Sequence, residues 1–301
     1  MVANTERLGS TRAMTPVEPG VISLRYTDRW SAFDRGSSAQ LIPGIGRARC
    51  ACAVKSFQLA NSLPTHFIEQ VGPETIHVRE FSVPGHESLS GKVHGRVLPV
   101  EWIWRDRVFG SLHERVRDGR VDPVTLGFAP GTEIAEGMQL PQMLLECTTK
   151  FEPVDRHLSD DEATTLAKVT PSQWDTARAL LTEAVRVTNA AYDKVGFMCP
   201  DGKLEQGMLS DGTIVLVDVF GTQDENRIID KATGAVCSKD MIRKWLNTQS
   251  WKEGLAKAKA DYPKDKSKWP SYPELPEELV ELVAKTYAEV AYRYAGVRVP
   301  Y

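Results

Sequence analysis

Apolar and polar positions alternate with period two in Val21-Ile22-Ser23-Leu24-Arg25-Tyr26 and again in Thr75-Ile76-His77-Val78-Arg79-Glu80-Phe81, the pattern of half-buried strands. Between them, residues 48–63 follow a helical spacing. Ala51, Val54, Phe57 and Leu63 lie toward one face, and Pro64 ends the element. Residues 84–96 are rich in Gly, Ser and His and predict a loop or a hinge between lobes. Strand character resumes at Val97-Leu98-Pro99-Val100-Glu101-Trp102-Ile103-Trp104. Two helix starts follow. Ser159-Asp160-Asp161-Glu162 has capping-box spacing, and Thr170-Pro171-Ser172-Gln173 repeats it with Pro at the first helical position. The second of these helices turns Trp174, Ala177, Leu181, Ala184, Val185 and Ala191 toward a core. A Pro- and Lys-rich linker over residues 262–276 precedes a last amphipathic helix from Glu277 to about Tyr294, with Leu279, Leu282, Val283, Tyr287, Val290 and Tyr294 as its buried stripe. Strands come first and mix with helices later, without a βαβ rhythm, which predicts an α+β fold.

Composition narrows the class. The 301 residues are 42% apolar and 26% charged, an ordinary globular balance for one large unit or two lobes. A formal net charge of −3 disfavours bulk nucleic-acid or anionic-membrane binding but leaves room for a local basic pocket that takes a small anion. No apolar run reaches the roughly 18–20 residues of a membrane span, and the polar N-terminus lacks a secretion signal. The five cysteines, at 50, 52, 147, 199 and 237, are odd in number and scattered, as suits reduced thiols in a cytoplasmic protein. Phosphate-loop, dinucleotide-fold and nucleophile-elbow signatures are missing. The histidines do not pair at metal-ligand spacing, which leaves His66 and His113 as the nearest to site candidates.

The most informative segment is a hairpin. Lys203-Leu204-Glu205-Gln206-Gly207 and Thr213-Ile214-Val215-Leu216-Val217-Asp218 flank Ser210-Asp211-Gly212. Asp-Gly favours a two-residue type I′ turn. That turn makes Ser210 face Thr213, Met208 face Val215 and Glu205 face Asp218. Carboxylates about 5 Å apart at Cβ repel each other, and Asp218 also shares its face with Ile214 and Leu216, where an unpaired charge is costly. A divalent cation with oxygen ligands resolves both problems, and Mg²⁺ commonly binds one or two carboxylates plus substrate phosphates. Lys203 points to the same face, toward such a phosphate. The competing reading is a solvated hairpin end in a slipped register. Arg105 with Gly110-Ser111 offers a phosphate cradle, and the polar loop Thr222–Arg227 can bring Arg227 to the same cleft. A surface arginine and an ordinary solvated loop are the alternatives there.

Taken in order, these segments resemble the SAICAR synthetase family over about residues 9–296. Pro99-Val100-Glu101-Trp102-Ile103-Trp104-Arg105 with Gly110-Ser111 is similar to that family's Pro-Val-Glu-Cys-Val-Val-Arg segment and its following Gly-Ser. Asp201-Gly202-Lys203-Leu204-Glu205-Gln206-Gly207 resembles its Asp-x-Lys-x-Glu-x-Gly hairpin, and the stretch from Asp218 through Thr222-Gln223-Asp224-Glu225-Asn226-Arg227 resembles the segment after it. Thr27–Asp34, Pro64–Glu69 and Asp240–Leu246 fit in the same order. The resemblance implies a two-lobed ATP-binding fold with antiparallel sheets, flanking helices and a nucleotide cleft. Residues 1–97 would form a mainly β lobe over ATP, and residues 98–301 would carry the hairpin, the ribotide site and the last helix. It implies an ATP-dependent ligase joining L-aspartate to an aminoimidazole ribotide carboxylate through an acyl phosphate. Glu205 and Asp218 would hold Mg²⁺, with Arg12 and Lys203 completing the ATP site. Arg105, Ser111, Asp224 and Arg227 would bind the ribotide, and Lys203 and Asp201 would line the reaction centre. Partners would be small molecules, with neither nucleic acid nor membrane, and a homo-oligomer is allowed.

The sequence also departs from the family pattern. Ser10 stands where the family has Lys, the acidic loop is shortened to residues 155–159, Ile45 replaces the Lys of Gly-Lys-Gly, and Val219 replaces the Glu after Asp218. These departures keep two alternatives open. One is a paralogue acting on a related heterocyclic ribotide carboxylate in nucleoside natural-product synthesis. The other is an inactive nucleotide-binding protein.

Overall fold

The computed structural model describes residues 6–152 and 155–301. The first sheet is antiparallel and comprises β1 (Arg7–Leu8), β2 (Arg12–Glu18) and β3 (Val21–Tyr26), joined by β6 (Phe67–Gly72) and β7 (Thr75–Arg79) in the order β1-β2-β3-β7-β6. Between β3 and β6 lie a small β4 (Arg29–Ser31) and β5 (Ser37–Leu41) ribbon and helix α1 (Ile45–Leu59). The period-two segments beginning at Val21 and Thr75 are therefore neighbouring strands, with Ile22, Leu24, Ile76 and Val78 buried on one face.

Helix α1 starts three residues before the periodicity suggests and ends before Leu63. The cause is a tertiary cap. Gly44 turns the chain at φ +80, and the Asp28 carboxylate accepts from the amides of Gly44 (3.2 Å) and Gly46 (2.9 Å). Gly46 is also the close-approach residue: a Cβ there would stand 2.8–2.9 Å from the backbone of Tyr26 and Thr27. The helix is buried on nearly all sides, between the first sheet and the C-terminal helix α7 (Glu277–Ala295).

The second sheet contains β8 (Gly95–Arg107), β9 (Gln139–Thr149), β10 (His157–Leu158), β12 (Asp201–Leu209) and β13 (Ile214–Val217), ordered β10-β9-β8-β12-β13, all antiparallel. Helix α2 (Ser111–Arg117) follows β8. Helices α3 (Asp160–Ala167) and α4 (Pro171–Lys194) open on the two capping boxes read from the sequence. Trp174 of α4 stacks on Trp102 at 4.5 Å, and Gln206 donates to the Ala177 carbonyl, so α4 covers one face of this sheet. A β11 (Phe197–Met198) and β14 (Ile229–Asp230) ribbon, α5 (Asp240–Asn247), α6 (Trp251–Asp261) and α7 (Glu277–Ala295) complete the chain. In α7 the buried stripe is Val283, Ala284, Tyr287, Val290, Ala291 and Tyr294. Leu282, expected inside, is 53% exposed because the helix turns its acidic flank and that side chain outward. One apolar core runs from the first sheet through α1 to α4 and α7. The mixture of antiparallel sheets and packed helices is the α+β class expected.

Candidate active site

The face of the second sheet opposite α4 is set by alternation in three adjacent strands. In β8, Trp102 and Trp104 are buried, while Glu101, Ile103 and Arg105 turn the other way. In β12, Leu204 and Gln206 point inward, and Asp201, Lys203 and Glu205 face the site. Register then places Asp201 opposite Arg105, Lys203 opposite Ile103 and Glu205 opposite Glu101. Glu146 and Lys150 belong to the same face from β9 and the residue after it. Opposed like charges on one strand pair are destabilising. Here two lysines interleave with the acids: Lys203 Nζ lies 2.5 Å from Glu101 Oε2, and Lys150 pairs with Glu205.

The hairpin register differs from the sequence expectation by one residue. Glu205 pairs with Val217, Gly207 with Val215 and Met208 with Ile214, so Glu205 does not face Asp218 directly. The turn has three residues rather than two. Gly212 N–H donates to Leu209 at 3.0 Å, Leu209 N–H donates to Thr213 at 2.9 Å, and Gly212 takes φ +89. This is a turn closed by a left-handed glycine, the next most common hairpin connection. The Asp211 side chain accepts from Thr213 N–H instead of supplying a second left-handed residue.

A one-residue slip normally sends a side chain to the opposite face. Asp218 escapes because it lies just past the end of β13 in a left-handed conformation, φ +57, which turns the carboxylate back to the Glu205 side. His66 holds that conformation. Its Nε2 lies 2.8 Å from the Asp218 carbonyl, which can only accept, so Nε2 carries the proton. Burial holds His66 down to about 4, which keeps the imidazole neutral near pH 7. The segment before it also pairs with β13: His66 N–H donates to Leu216, and Leu216 N–H donates to Pro64, both at 2.9 Å.

Arg12 Nη2 contacts both Asp218 oxygens, at 2.7 and 2.8 Å. Burial raises the Asp218 carboxyl, but Arg12, Lys150 and His66 outweigh it and hold the group below its usual range. Burial, then the Asp218 charge, push Glu205 up, opposed by Lys150. The two acids thus converge as expected, by a route the sequence did not show. Two adjoining carboxylates of opposite pKa displacement, each beside one cationic side chain (Lys150 for Glu205, Arg12 for Asp218), offer oxygen donors of the kind a hard cation takes. Among the described residues no group of three or more His, Cys, Asp or Glu side chains is arranged to hold a metal alone.

Arg105 and Arg227 meet at the other end of this face. Arg105 is 4% exposed. It donates from Nε to Glu146 at 2.8 Å, from Nη1 to Asp201 at 3.2 Å and from Nη2 to Ser111 Oγ at 3.0 Å. Arg227 donates from Nη1 to the same Asp201 oxygen and from Nε to Asp240, both at 2.7 Å. Gly110, at φ +52, lets Arg227 cross the turn before α2, since a Cβ there would lie 2.9 Å from Nη2. A cleft of about 170 Å³ lies between Arg105, Ser111, Asp201, Lys203, Arg227 and Lys239. Asp224 lines it too, held by Arg49 Nη1 at 2.5 Å and by the Tyr287 hydroxyl at 3.0 Å. Arg49 is itself anchored on the carbonyls of Thr27 and Arg29, and Glu146, which takes Arg105, is also paired with Arg115 of α2. His113 of α2 does not line this cleft.

On this face Arg12, Glu205 and Asp218 lie at one end, Asp201, Arg105, Ser111, Asp224 and Arg227 at the other, and Lys203 between them; His66 supports Asp218 from behind, and His113 stays outside the cleft. Sequence reasoning gave no role to Glu101, Lys150, Arg49, Lys239 or Arg243. A signal existed for three of them. Glu101 and Lys150 are charges in step with the polar alternation of their strands, and Arg49 is the one of three charges in α1 (with Arg47 and Lys55) that lies between Ala48 and the run of small apolar residues Cys50–Val54. Lys239 and Arg243 reach the cleft from the start of α5 through tertiary packing alone.

Residues 8–258 match the family model described as SAICAR synthetase. Two relatives named phosphoribosylaminoimidazole-succinocarboxamide synthase come from Thermoplasma. The chain is 29% identical to that of T. acidophilum and 30% to that of T. volcanium, each over 279 residues, 90% of this chain and 92% of the relative. Among solved structures, a SAICAR synthetase in complex with ADP superposes with a TM-score of 0.71 at 20% identity, covering 99% of this chain and all of the other. The Saccharomyces cerevisiae SAICAR synthase complexed with SAICAR gives 0.70 at 20% identity, covering 97% and 94%. Among the described residues no helix is long and apolar enough to cross a membrane. Fold, site layout and sequence match agree on one conclusion: this chain belongs to the SAICAR synthetase family, whose members are ATP-dependent ligases.

Proposed function

We propose that the protein is an ATP-dependent carboxylate–amine ligase that joins L-aspartate to an aminoimidazole ribotide carboxylate. The observation that carries this reading is the spacing on one strand face. The Arg105–Asp201–Arg227 cluster and the Glu205–Asp218–Arg12 cluster are four residues apart along β12, roughly 13 Å at strand rise. Lys203 stands midway. Such a face accommodates a ribotide whose 5′-phosphate sits at the arginine end, with its ring carboxylate directed toward a nucleotide at the acidic end.

The arginine end suits a phosphate dianion, since two guanidiniums and the Ser111 hydroxyl converge there, and Asp201 fixes both guanidiniums before substrate arrives. Asp224, immobilised by Arg49 and Tyr287, presents acceptors to ribotide hydroxyls. Glu205 and Asp218 would hold Mg²⁺, which when bound with ATP neutralises the β- and γ-phosphate oxygens. Arg12 and Lys203 would add fixed positive charge on the phosphate side. A ring carboxylate oxygen attacks the γ-phosphorus and ADP leaves. The aspartate amine then adds to the carbonyl carbon of the acyl phosphate, inorganic phosphate departs with the bonding pair, and the nitrogen gives up a proton. Glu101 keeps the Lys203 ammonium aimed across the cleft. On this reading residues 1–97 form the lobe over ATP, residues 98–301 carry the hairpin and ribotide site, and the enzyme works in the cytoplasm on small molecules, with its five thiols unpaired.

The departures favour a second reading of substrate identity. Val219 is buried in the apolar core, so the family's acid at that position has no functional counterpart here, and Ser10 offers only its carbonyl, to the Ser37 hydroxyl. A paralogue on a related heterocyclic ribotide carboxylate would keep the hairpin and arginine pair and change these positions. Incubation with ATP, L-aspartate and carboxyaminoimidazole ribotide, read by product mass, tests the first reading. Product from another ribotide carboxylate only would replace it with the second, and ATP binding without product from any carboxylate would replace both with an inactive nucleotide binder.

A further inference from the structure

The loop 32–36, between β4 and β5, carries two adjacent side chains in the left-handed region, Phe33 at φ +53 and Asp34 at φ +57. Aspartate tolerates this region better than most residues, but phenylalanine is an outlier there. Phe33 lines a cleft of about 740 Å³ that shares Ser111, Arg227 and Arg243 with the phosphate cleft. Asp34 accepts from the Lys259 ammonium at 3.2 Å and lies within electrostatic reach of Lys203 and Asp155. The loop thus borders the ribotide end of the site.

Little within the loop enforces this shape. Its internal backbone bond, Arg35 N–H to the Ala32 carbonyl, is long at 3.3 Å. The anchor comes from far along the chain. The Tyr272 hydroxyl accepts from Ala32 N–H at 2.8 Å and shares its proton between the carbonyls of Ala32 (2.6 Å) and Gly36 (2.9 Å). Its ring is set by Trp30 at 4.5 Å and Trp251 at 5.1 Å. Arg35 Nε also donates to the Pro270 carbonyl at 2.8 Å, and the Lys252 ammonium of α6 stands 3.1 Å above the Phe33 ring. Tyr272 lies beyond residue 258, where the match to the family model ends.

We propose that Tyr272 is a positioning residue whose hydroxyl holds loop 32–36 in its left-handed form, so that Phe33 walls the ribotide side of the cleft. The effect on substrates rests on the ligase reading; the effect on the loop does not.

Tyr272→Phe keeps the ring between the two tryptophans and removes only the hydroxyl. Hydrogen exchange on the full-length, ligand-free protein should speed up about tenfold in peptides covering 32–36, the loss of one or two net hydrogen bonds, while peptides of α1 and β3 stay at wild-type rates. Steady-state kinetics should show KM for the ribotide carboxylate raised about fivefold to tenfold on the same grounds, with KM for ATP within twofold. Exchange in 32–36 unchanged in the variant overturns the proposal. So does faster exchange with all KM values unmoved, or a general acceleration with every KM rising together, which would make Tyr272 merely structural. An inactive wild-type protein would sink the ligase reading alone, and the exchange ratio would still decide whether Tyr272 holds the loop.

Discussion

His66→Phe probes the device that makes the two hairpin acids converge. The replacement keeps an aromatic ring beside Phe57 and Phe81, whose centroids lie 6.0 and 6.5 Å from the imidazole, and deletes only the donor to the Asp218 carbonyl. Leaving that acceptor unpaired costs ~1–3 kcal/mol, and the left-handed backbone it supports carries ~1–2 kcal/mol of its own strain. Folding stability should therefore fall by ~1–3 kcal/mol. For a chain of this size that is a drop of about 2–5 °C in Tm by calorimetry. The second consequence is specific. Once Asp218 can relax to an extended backbone, its carboxylate swings to the face away from Glu205, and divalent-cation affinity with bound nucleotide should weaken about 10–100-fold, the usual effect of losing a partner that orients a ligand. Titration of Mn²⁺ into the protein with ADP, followed by electron paramagnetic resonance, reads this directly. His66 is neutral from pH 6 to 8, so the ratio between variant and wild type should be flat across that range. Unchanged Mn²⁺ affinity in a variant that loses the expected stability would falsify the positioning role.

Glu205→Gln should reduce ATP-dependent turnover at least about 100-fold in a coupled ADP assay while leaving Tm equal or higher, because it removes a buried like charge beside Asp218; unimpaired turnover would remove Glu205 from the nucleotide site. The pH dependence follows from the two displaced carboxyls. Glu205, raised by burial and by Asp218, contributes stability that is complete below its unfolded value of about 4.3 and disappears as pH climbs through the higher folded value. Asp218 works the other way: burial opposes, Arg12 and Lys150 prevail, and its contribution is present above about 3.9 and lost in acid. Mg·ADP should prefer both acids ionised, so the Tm gain on adding it should grow with pH through the Glu205 titration and lose that slope in Glu205→Gln. Arg227→Lys keeps the charge but loses the fork that binds Asp201 and Asp240 together; KM for the ribotide should rise about tenfold or more with KM for ATP unchanged, and equal rises in both would contradict separate ends of the cleft. Gly207→Ala would place a methyl 2.8 Å from the Phe81 ring and 2.9 Å from Val217, and chemical denaturation should show a loss of ~1–3 kcal/mol from overpacking.

What the sequence determined by itself was local. Period-two alternation marked β3 and β7, strand character marked β8, the two capping boxes placed the starts of α3 and α4, and the ordered motifs brought Arg105, Asp201, Lys203, Glu205, Asp218 and Arg227 together as one set of candidates. These features depend on neighbours a few residues away, so the chain carries them in its own pattern. The alternation along β8 and β12 also fixed which side chains share a face, because pleating leaves no other choice. Tertiary structure decided the rest. The one-residue difference in hairpin register turned on whether Asp211 or only Gly212 took a left-handed backbone, a small energy gap that contacts such as Gln173 with the Gly212 carbonyl at 2.9 Å can tip. The return of Asp218 to the Glu205 face needed a histidine 152 positions earlier in the chain. The early start of α1 needed Asp28, and the shape of the 32–36 loop needs Tyr272. Each is a hydrogen bond between residues distant in sequence and close in space, and no periodicity or propensity within either segment records its partner.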